Sequence, residues 1–149
     1  MPDIADLTLV LRVLAAGVLA ALIGYEREAA GKSAGLRTHM LVAMSAAFFV
    51  VLGEQAVEHF GTSGRGRLQY DPLRVIQAVV IGIGFLGSGI IFVDRDGTRT
   101  QGLTTAASVW ATAGVGIAAG LGRFWAALGA TLLFLGVLRL LVRYDRSEG

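Results

Sequence analysis

Four short polar motifs in this sequence could carry chemistry, and each lies beside a long apolar stretch. They are Tyr25-Glu26-Arg27-Glu28, Arg37-Thr38-His39, Asp94-Arg95-Asp96-Gly97 and Gly102-Leu103-Thr104-Thr105. The second and fourth motifs open predicted helices, so their unpaired N–H groups and the positive ends of their dipoles face one layer. Such a layer favours an anion or a carboxylate, and we expect the four motifs to meet at one membrane surface.

Two interpretations fit this polar layer. Glu28 and Asp94 carry carboxylate oxygens, which Mg²⁺ prefers as ligands, so the layer could be a gate or a hard-cation site. Alternatively it is a structural network of ion pairs and helix caps in which Arg37 partners Glu28. We expect His39 to form a hydrogen bond at a helix interface rather than to bind a metal. The candidate residues in this layer are Glu26, Arg27, Glu28, Arg37, Thr38, His39, Asp94, Thr104 and Thr105.

A glycine-rich segment from Gly82 to Gly89 lies within the third apolar stretch. It matches G-x-G-x-x-G, but that pattern indicates dinucleotide binding only in a soluble βαβ unit. Each Gly costs a helix about 1 kcal/mol relative to Ala. Close helix packing could offset this cost, or an unwound helix around Gly84 could line an ion path. Gln77 shares a face with Gly84 and Ser88, and we expect an interhelical hydrogen bond or a ligand contact there.

The composition indicates which elements position these residues. Of the 149 residues, 54% are hydrophobic and 16% are charged, whereas a soluble domain carries about 25% charge. The 21 residues from Gly102 to Gly122 and the 19 from Val75 to Val93 contain no charged side chain. At 1.5 Å per residue, either run crosses the roughly 30 Å hydrocarbon core of a bilayer. The sequence therefore predicts an integral membrane protein.

The predicted fold class is all-α, a bundle of five transmembrane helices forming a single domain over residues 1–149. The predicted spans are residues 7–24, 36–53, 73–93, 104–121 and 124–142. Loops on one side hold eight Lys and Arg residues and loops on the other hold four. This difference predicts an outside N-terminus and a cytoplasmic C-terminus. Asp71 and Pro72 predict the N-cap and first residue of the third helix.

Small residues recur at helical spacing in the first and fourth spans and predict close helix packing. We expect the stripe that ends at Glu28 to point this carboxylate into the bundle. Arg12 is expected to extend toward the outer surface, or to form a polar cluster with Arg74 and Asp71. The bundle should form a homo-oligomer, with a dimer favoured. The packing candidates are Gly17, Ala21, Gly24, Gly114, Gly116, Ala118, Gly120 and Gly122.

The residue inventory argues against several function classes. The sequence has no Cys, which excludes disulfides, thiolate catalysis and Cys-rich zinc sites. Its two His residues belong to no recognisable nucleophile and base arrangement, so we do not expect an enzyme or a resident cofactor. The basic residues are spread over the loops rather than gathered on one face, so no nucleic-acid partner is expected.

The motifs resemble, in order and approximate spacing, the membrane-domain signature of the MgtC/SapB family. The resemblance rests on Gly24 to Glu28, Ala34 to Val42, Gly82 to Gly89 and Gly102 to Ala107, and it covers roughly residues 19–131. It implies a five-span protein of the bacterial inner membrane, without the C-terminal ACT-like domain that many members carry. It also implies a link to magnesium homeostasis, to growth in low magnesium and, in pathogens, to survival inside macrophages.

The resemblance and the residues together give two main hypotheses. In the first, Mg²⁺ or another cation is the substrate and moves past the glycine-rich third span to Glu28. In the second, the chain transports nothing and regulates another membrane protein, such as an F-type ATP synthase, through its small-residue helix faces. A third hypothesis is recognition of lipid or phosphate by the helix starts with Lys32 and Arg37. Bilayer lipid surrounds the protein under each hypothesis.

Overall fold

The chain folds into five α-helices, which a computed structural model describes over residues 4–61, 71–94 and 99–145. A short antiparallel hairpin between the third and fourth helices pairs Phe92 with Gln101 and Val93 with Thr100. The helical prediction is confirmed, and the hairpin is an addition to it. The elements are α1 (Ile4–Ala29), α2 (Leu36–Gly61), α3 (Pro72–Ile90), β1 (Phe92–Val93), β2 (Thr100–Gln101), α4 (Leu103–Gly120) and α5 (Phe124–Asp145).

Helix length and apolarity are those of a membrane protein. Within the described residues, α1 to α4 are each long and apolar enough to cross a bilayer, while α5 has a shorter apolar stretch, Phe124–Leu140. The predicted third span is too long, because α3 ends at Ile90 and not at Val93. Ile91 adopts an extended backbone with φ −87° and ψ 123°, and the next two residues form β1.

Local chemistry sets the beginnings of α3 and α4. The Leu73 N–H donates a hydrogen bond of 3.0 Å to Asp71 Oδ1, and Pro72 occupies the first helical turn. This confirms the predicted cap. Before α4, Gly102 has a φ of +84°, and a Cβ at that position would lie 2.1 Å from the Ile90 carbonyl oxygen. Only glycine fits this turn without strain or a backbone shift.

Small side chains form the core where α1, α2 and α4 pack together, and α5 covers α4 and α1. Such residues let helix backbones approach closely in lipid, where dispersion and polar contacts drive association. Helix α3 lies at the edge against α4 and α2: only 6% of its apolar window is buried, compared with 56% for α4. The fully buried alanine core consists of Ala16, Ala20, Ala43, Ala47, Ala119 and Ala127.

Candidate functional site

A charged pair is buried where α1 ends. Arg27 is only 1% exposed, and its Nε and Nη2 donate hydrogen bonds to Glu26 at 2.5 and 2.8 Å, while the Glu26 side chain is 11% exposed. Both groups lie in the last turn of α1, where the helix dipole favours the arginine cation. Burying one charge alone would be costly, so the bidentate contact compensates each by the other.

The pair is not fully satisfied. Within the described part of the chain, Arg27 Nη1 is buried and has no hydrogen-bond partner. An unpaired buried donor carries a desolvation cost of about 1–3 kcal/mol. Arg27 therefore retains capacity for one further acceptor, such as an oxygen atom of a water or an ion.

His39 forms the second part of the site, in the first turn of α2. Its ring is fully buried, with Nδ1 2.8 Å from the Gly35 carbonyl oxygen and Nε2 3.1 Å from Ser108 Oγ in α4. Because a carbonyl oxygen only accepts, Nδ1 carries a proton and donates. Glu26 and Arg27 are close enough to His39 to interact with it electrostatically. The imidazole thus joins α2 to α4 beside the charged pair of α1.

The hydrogen bonds of this junction depend on how many protons the His39 ring carries. The Ser108 hydroxyl donates to the Thr105 carbonyl oxygen at 2.8 Å, so with that bond formed its oxygen is free to accept from His39 Nε2–H. A doubly protonated His39 therefore satisfies all three hydrogen bonds at once. When the ring is neutral and its proton is on Nδ1, His39 Nε2 is an acceptor. The single O–H of Ser108 can then donate either to His39 Nε2 or to the Thr105 carbonyl oxygen, but not to both.

The polar face of α4 continues beyond Ser108. Thr105, Ser108 and Thr112 are buried at spacings of three and four residues, and the Thr112 hydroxyl donates to the Ser108 carbonyl oxygen at 2.8 Å. A small groove of about 210 Å³ among α1, α4 and α5 is lined by Thr104 and Ser108 together with apolar side chains, and several of these residues are exposed. Ser108, the partner of His39, therefore borders a groove that opens on the surface of the bundle.

Glu28 does not point into the bundle, contrary to the sequence prediction. The residue is exposed, and its Oε2 accepts a hydrogen bond of 2.9 Å from the Leu36 N–H at the start of α2. Arg27 occupies the buried position because the innermost stripe of α1 runs through Ala16, Ala20, Ile23 and Arg27. Each residue turns a helix by about 100°, so the predicted stripe lies one position from the true centre of this face.

The other predicted polar residues separate into two environments. Thr105 is buried, whereas Arg37, Thr38, Asp94 and Thr104 are exposed. Asp94 follows β1, and its backbone N–H donates to the Arg99 carbonyl oxygen at 3.0 Å. Across the described ranges, no three or more His, Asp or Glu residues are grouped so that they could hold a metal ion. Glu28 and Asp94 therefore belong to no such cluster there.

The glycine segment of α3 is helical rather than unwound, and it packs against α4 at Gly87, where a Cβ would lie 3.8 Å from Ala106 Cβ. Helix α3 is continuous from Pro72 to Ile90, and nothing lies within 4 Å of a Cβ built at Gly82, Gly84 or Gly89. Gln77, Gly84 and Ser88 are all exposed on this helix, and the Ser88 hydroxyl donates to the Phe85 carbonyl oxygen at 2.7 Å. The predicted unwinding is wrong. Among the described residues the predicted packing is confined to Gly87, since nothing there covers Gly82, Gly84 or Gly89.

Some of the other packing candidates lie against a neighbouring helix and some do not. A Cβ at Gly116 or Gly120 would lie 2.3 or 2.9 Å from backbone atoms of α2, and one at Gly24 would lie 2.7 Å from Leu36 Cα. A Cβ at Gly17 would lie 2.9 Å from Met44 Sδ. Ala21 and Ala118 are partly buried.

Two of these candidates do not pack as predicted. Nothing within 4 Å faces a Cβ at Gly114, so the stripe it shares with Ala118 lies open at this end. Gly122 lies beyond the end of α4 in a turn, with a φ of +72°. Its role is a left-handed turn rather than helix packing.

Arg12 of α1 contacts α2 and the C-terminal end of α4. Its Nη1 donates to Glu54 Oε2 at 2.7 Å and to the Gly120 carbonyl oxygen at 2.8 Å. Neither predicted arrangement, outward extension or a cluster with Arg74 and Asp71, describes these contacts. The guanidinium instead satisfies a carbonyl at the C-terminus of α4, which has no partner within its own helix.

Comparison with known proteins identifies the family. The MgtC family model matches residues 13–147. The chain belongs to the MgtC family. Protein MgtC of Salmonella typhimurium strain LT2 is 43% identical over 126 residues, 85% of this chain and 49% of that protein. An uncharacterized protein of Haemophilus influenzae is 40% identical over 129 residues, 87% of this chain and 53% of its own length.

A third relative has a more specific name. The putative magnesium transporter YhiD of Escherichia coli K12 is 34% identical over 137 residues, 88% of this chain and 59% of that protein. The chain spans about half the length of the curated relatives it matches. No solved structure matches it.

Sequence reasoning missed the partners that complete the site. Ser108 and Thr112 follow Thr105 at helical spacing, so the polar face of α4 was readable as a periodic pattern in an otherwise apolar helix. The buried stripe of α1 that ends at Arg27 was readable in the same way, from its spacing of three and four residues. The contact from Arg12 to Glu54 had none, because these residues are 42 positions apart and meet only through helix packing.

Proposed function

We propose that this chain is a membrane protein of magnesium homeostasis that moves Mg²⁺ or another cation across the bacterial inner membrane. The observation that carries the proposal is the buried Glu26–Arg27 pair beside His39. Ionisable groups are expensive inside a membrane and are by default functional candidates there. The name of the E. coli relative, a putative magnesium transporter, supports the same assignment.

In this proposal the Glu26 carboxylate binds the transported cation. Its oxygens accept hydrogen bonds from Arg27, and within the described ranges of the chain Arg27 Nη1 has no hydrogen-bond partner. The carboxylate exchanges Arg27 for a passing hydrated cation, and oxygen is the ligand type that Mg²⁺ prefers. We also propose that the N-terminus is outside and the C-terminus cytoplasmic, which puts this site near the cytoplasmic surface.

Ion flux into sealed liposomes tests the proposal. The vesicles contain the purified chain and a Mg²⁺-sensitive dye, and protein-free vesicles give the background. Wild-type protein should admit Mg²⁺, and Glu26→Gln should reduce entry to the background. Glu28→Gln is the matched control, because it makes the same chemical change two residues away, where an amide oxygen can still accept from the Leu36 N–H.

A double variant separates function from folding. Glu26→Gln alone leaves Arg27 buried without its counter-charge, so a loss of flux could follow from misfolding. Glu26→Gln with Arg27→Met removes both charges and should fold, as size-exclusion chromatography would show. A folded double variant without flux supports the transport role of the pair, whereas restored flux reduces the pair to a structural element. Wild-type protein that is folded but passes no Mg²⁺, Na⁺, K⁺ or H⁺ would overturn transport.

A regulatory function is the second candidate, and a different observation favours it. Gln77, Ile81, Gly84 and Ser88 lie exposed on one face of α3, and within the described residues a Cβ at Gly84 would meet nothing within 4 Å. A polar amide on a membrane helix gains from an interhelical hydrogen bond, and glycine permits close approach. In this candidate the face binds a second copy, as a dimer, or another membrane protein. Cysteine cross-linking at Ile81 in membranes would detect the contact, and Gly84→Leu should abolish it.

A further inference from the structure

An open groove runs between α2 and α3 at the edge of the bundle. Its volume is about 540 Å³, within the roughly 300–1,000 Å³ range of small-molecule sites. Val42 and Phe49 of α2 form one wall, and Val75 and Gly82 of α3 form the other. Gly82 enlarges the groove, since a Cβ there would meet nothing within 4 Å.

The polar atoms of this groove lie unevenly along it. Arg74, in the first turn of α3, lines one end, and Ser45 is the other polar residue of the lining. No salt bridge of Arg74 occurs among the described residues, and the nearby Asp71 carboxylate accepts from the Leu73 N–H. The groove is therefore an apolar slot with a cation at its mouth.

The length of the groove identifies its occupant. From Arg74 to Ile83 the groove follows ten residues of α3, or about 13.5 Å at 1.5 Å rise between successive residues. That is close to half of the roughly 30 Å hydrocarbon core. A second transmembrane helix would need a contact surface across the whole core, whereas one lipid tail extends from the membrane surface to the middle of the bilayer.

We propose that this groove binds one anionic phospholipid, with its phosphate at Arg74 and one acyl chain between α2 and α3. An apolar slot open to the bilayer gains dispersion contacts when a chain fills it. The guanidinium adds the charge complementarity that selects an anionic headgroup, because Arg pairs with phosphate through two parallel hydrogen bonds. The site does not depend on the proposed transport of cations.

Native mass spectrometry of the full chain tests the site. Delipidated protein is given equal amounts of phosphatidylglycerol and phosphatidylcholine with the same acyl chains. We expect one phosphatidylglycerol retained in preference to phosphatidylcholine, and Arg74→Gln should lower this preference about fivefold, the effect of one Arg at an anionic surface. Arg123→Gln is the control, since Arg123 is an exposed arginine that lies outside the groove.

Filling the groove provides the steric test. Gly82→Leu should abolish retention of either lipid, whereas Gly84→Leu makes the same change outside the groove and should not. If Gly82→Leu does not fold, Ala78→Leu narrows the same groove from an exposed position of α3. Unchanged retention in a folded groove variant overturns the proposal. A wild-type dimer that Gly82→Leu converts to monomer, with lipid binding unaltered, would assign the groove to a second copy.

Discussion

Two glycines of α4 and three glycines of α3 occupy opposite environments in this bundle. Gly116 and Gly120 lie directly against the backbone of α2, whereas Gly82, Gly84 and Gly89 have open space where a side chain would be. In α4 the missing side chains permit close contact, which the dispersion energy of packed backbones stabilises. In α3 these three glycines gain no contact from the described chain, and only Gly87 packs against α4. A glycine pattern alone therefore does not reveal whether a membrane helix is packed.

The same contrast separates the charged residues. The packed helices α1 and α2 carry Arg27 and His39 in buried positions and Glu26 in a largely buried one, each with a named partner. The described part of α3 has one charged side chain, Arg74, at its exposed first turn. Burial in the packed region makes each polar contact consequential, while the edge helix keeps its charge near the membrane surface. Substitutions in the two regions should consequently change the free energy of unfolding by different amounts and, at some positions, in opposite directions.

The largest expected effect comes from the buried pair. Glu26→Gln removes the counter-charge of Arg27, and breaking a buried pair from one side costs about 3–5 kcal/mol. We expect a drop of this size in the free energy of unfolding, measured by circular dichroism in mixed detergent micelles. Gln77→Leu is the comparison in α3 and should change it by less than about 0.5 kcal/mol, as surface substitutions do. Equal changes in the free energy of unfolding for the two variants would show that the packed helices and α3 do not differ in this way.

A methyl group in the packed region should have the next largest effect. The added Cβ of Gly116→Ala would lie 2.3 Å from the Ala43 carbonyl oxygen, and backbone must move to accept it. Overpacking of this kind costs about 1–3 kcal/mol. The same unfolding measurement checks this, and cross-links between α2 and α4 should become less efficient. An unchanged variant would show that the helices are not in close contact.

The matching change at the edge should act in the opposite direction. Gly84→Ala meets nothing within 4 Å, and alanine favours the helix over glycine by about 0.5–1 kcal/mol. We expect the free energy of unfolding to rise by that amount. A loss of stability instead would indicate that a second copy or another protein covers this face in the sample. Measuring oligomeric state by light scattering distinguishes these outcomes.

The smallest effect is expected at the half-exposed ion pair. Glu54 is 45% exposed on its side chain and meets Arg12 at 2.7 Å. Glu54→Gln should cost less than about 1 kcal/mol, because solvent screens such pairs and an amide still accepts a hydrogen bond. Raising the salt concentration should reduce the difference between wild type and variant. A loss as large as that of Glu26→Gln would mean that this end of the bundle is more buried than the exposed fractions indicate.

Local sequence determined much of the fold. Apolar stretches long enough to cross a bilayer predicted the five described helices, and most of their ends within three residues, because apolar length is the property that the membrane requires. The predicted ends of α1 and α2, at residues 24 and 53, are too early, since these helices continue to Ala29 and Gly61. The Asp71 cap was readable for a similar reason, since the Asp carboxylate and the fixed φ of Pro72 act on their own backbone. Family membership likewise follows from the order of the motifs along the chain.

The tertiary structure alone decided the orientation of each helix and the partners of its residues. One residue of rotation, about 100°, determines whether Arg27 or Glu28 is buried, and both lie on the same broad face in the sequence pattern. Whether a glycine meets a backbone, as Gly116 does, or open space, as Gly84 does, depends on which helices are neighbours. Helical periodicity defines the faces of a helix, but only packing against other helices selects which face is covered.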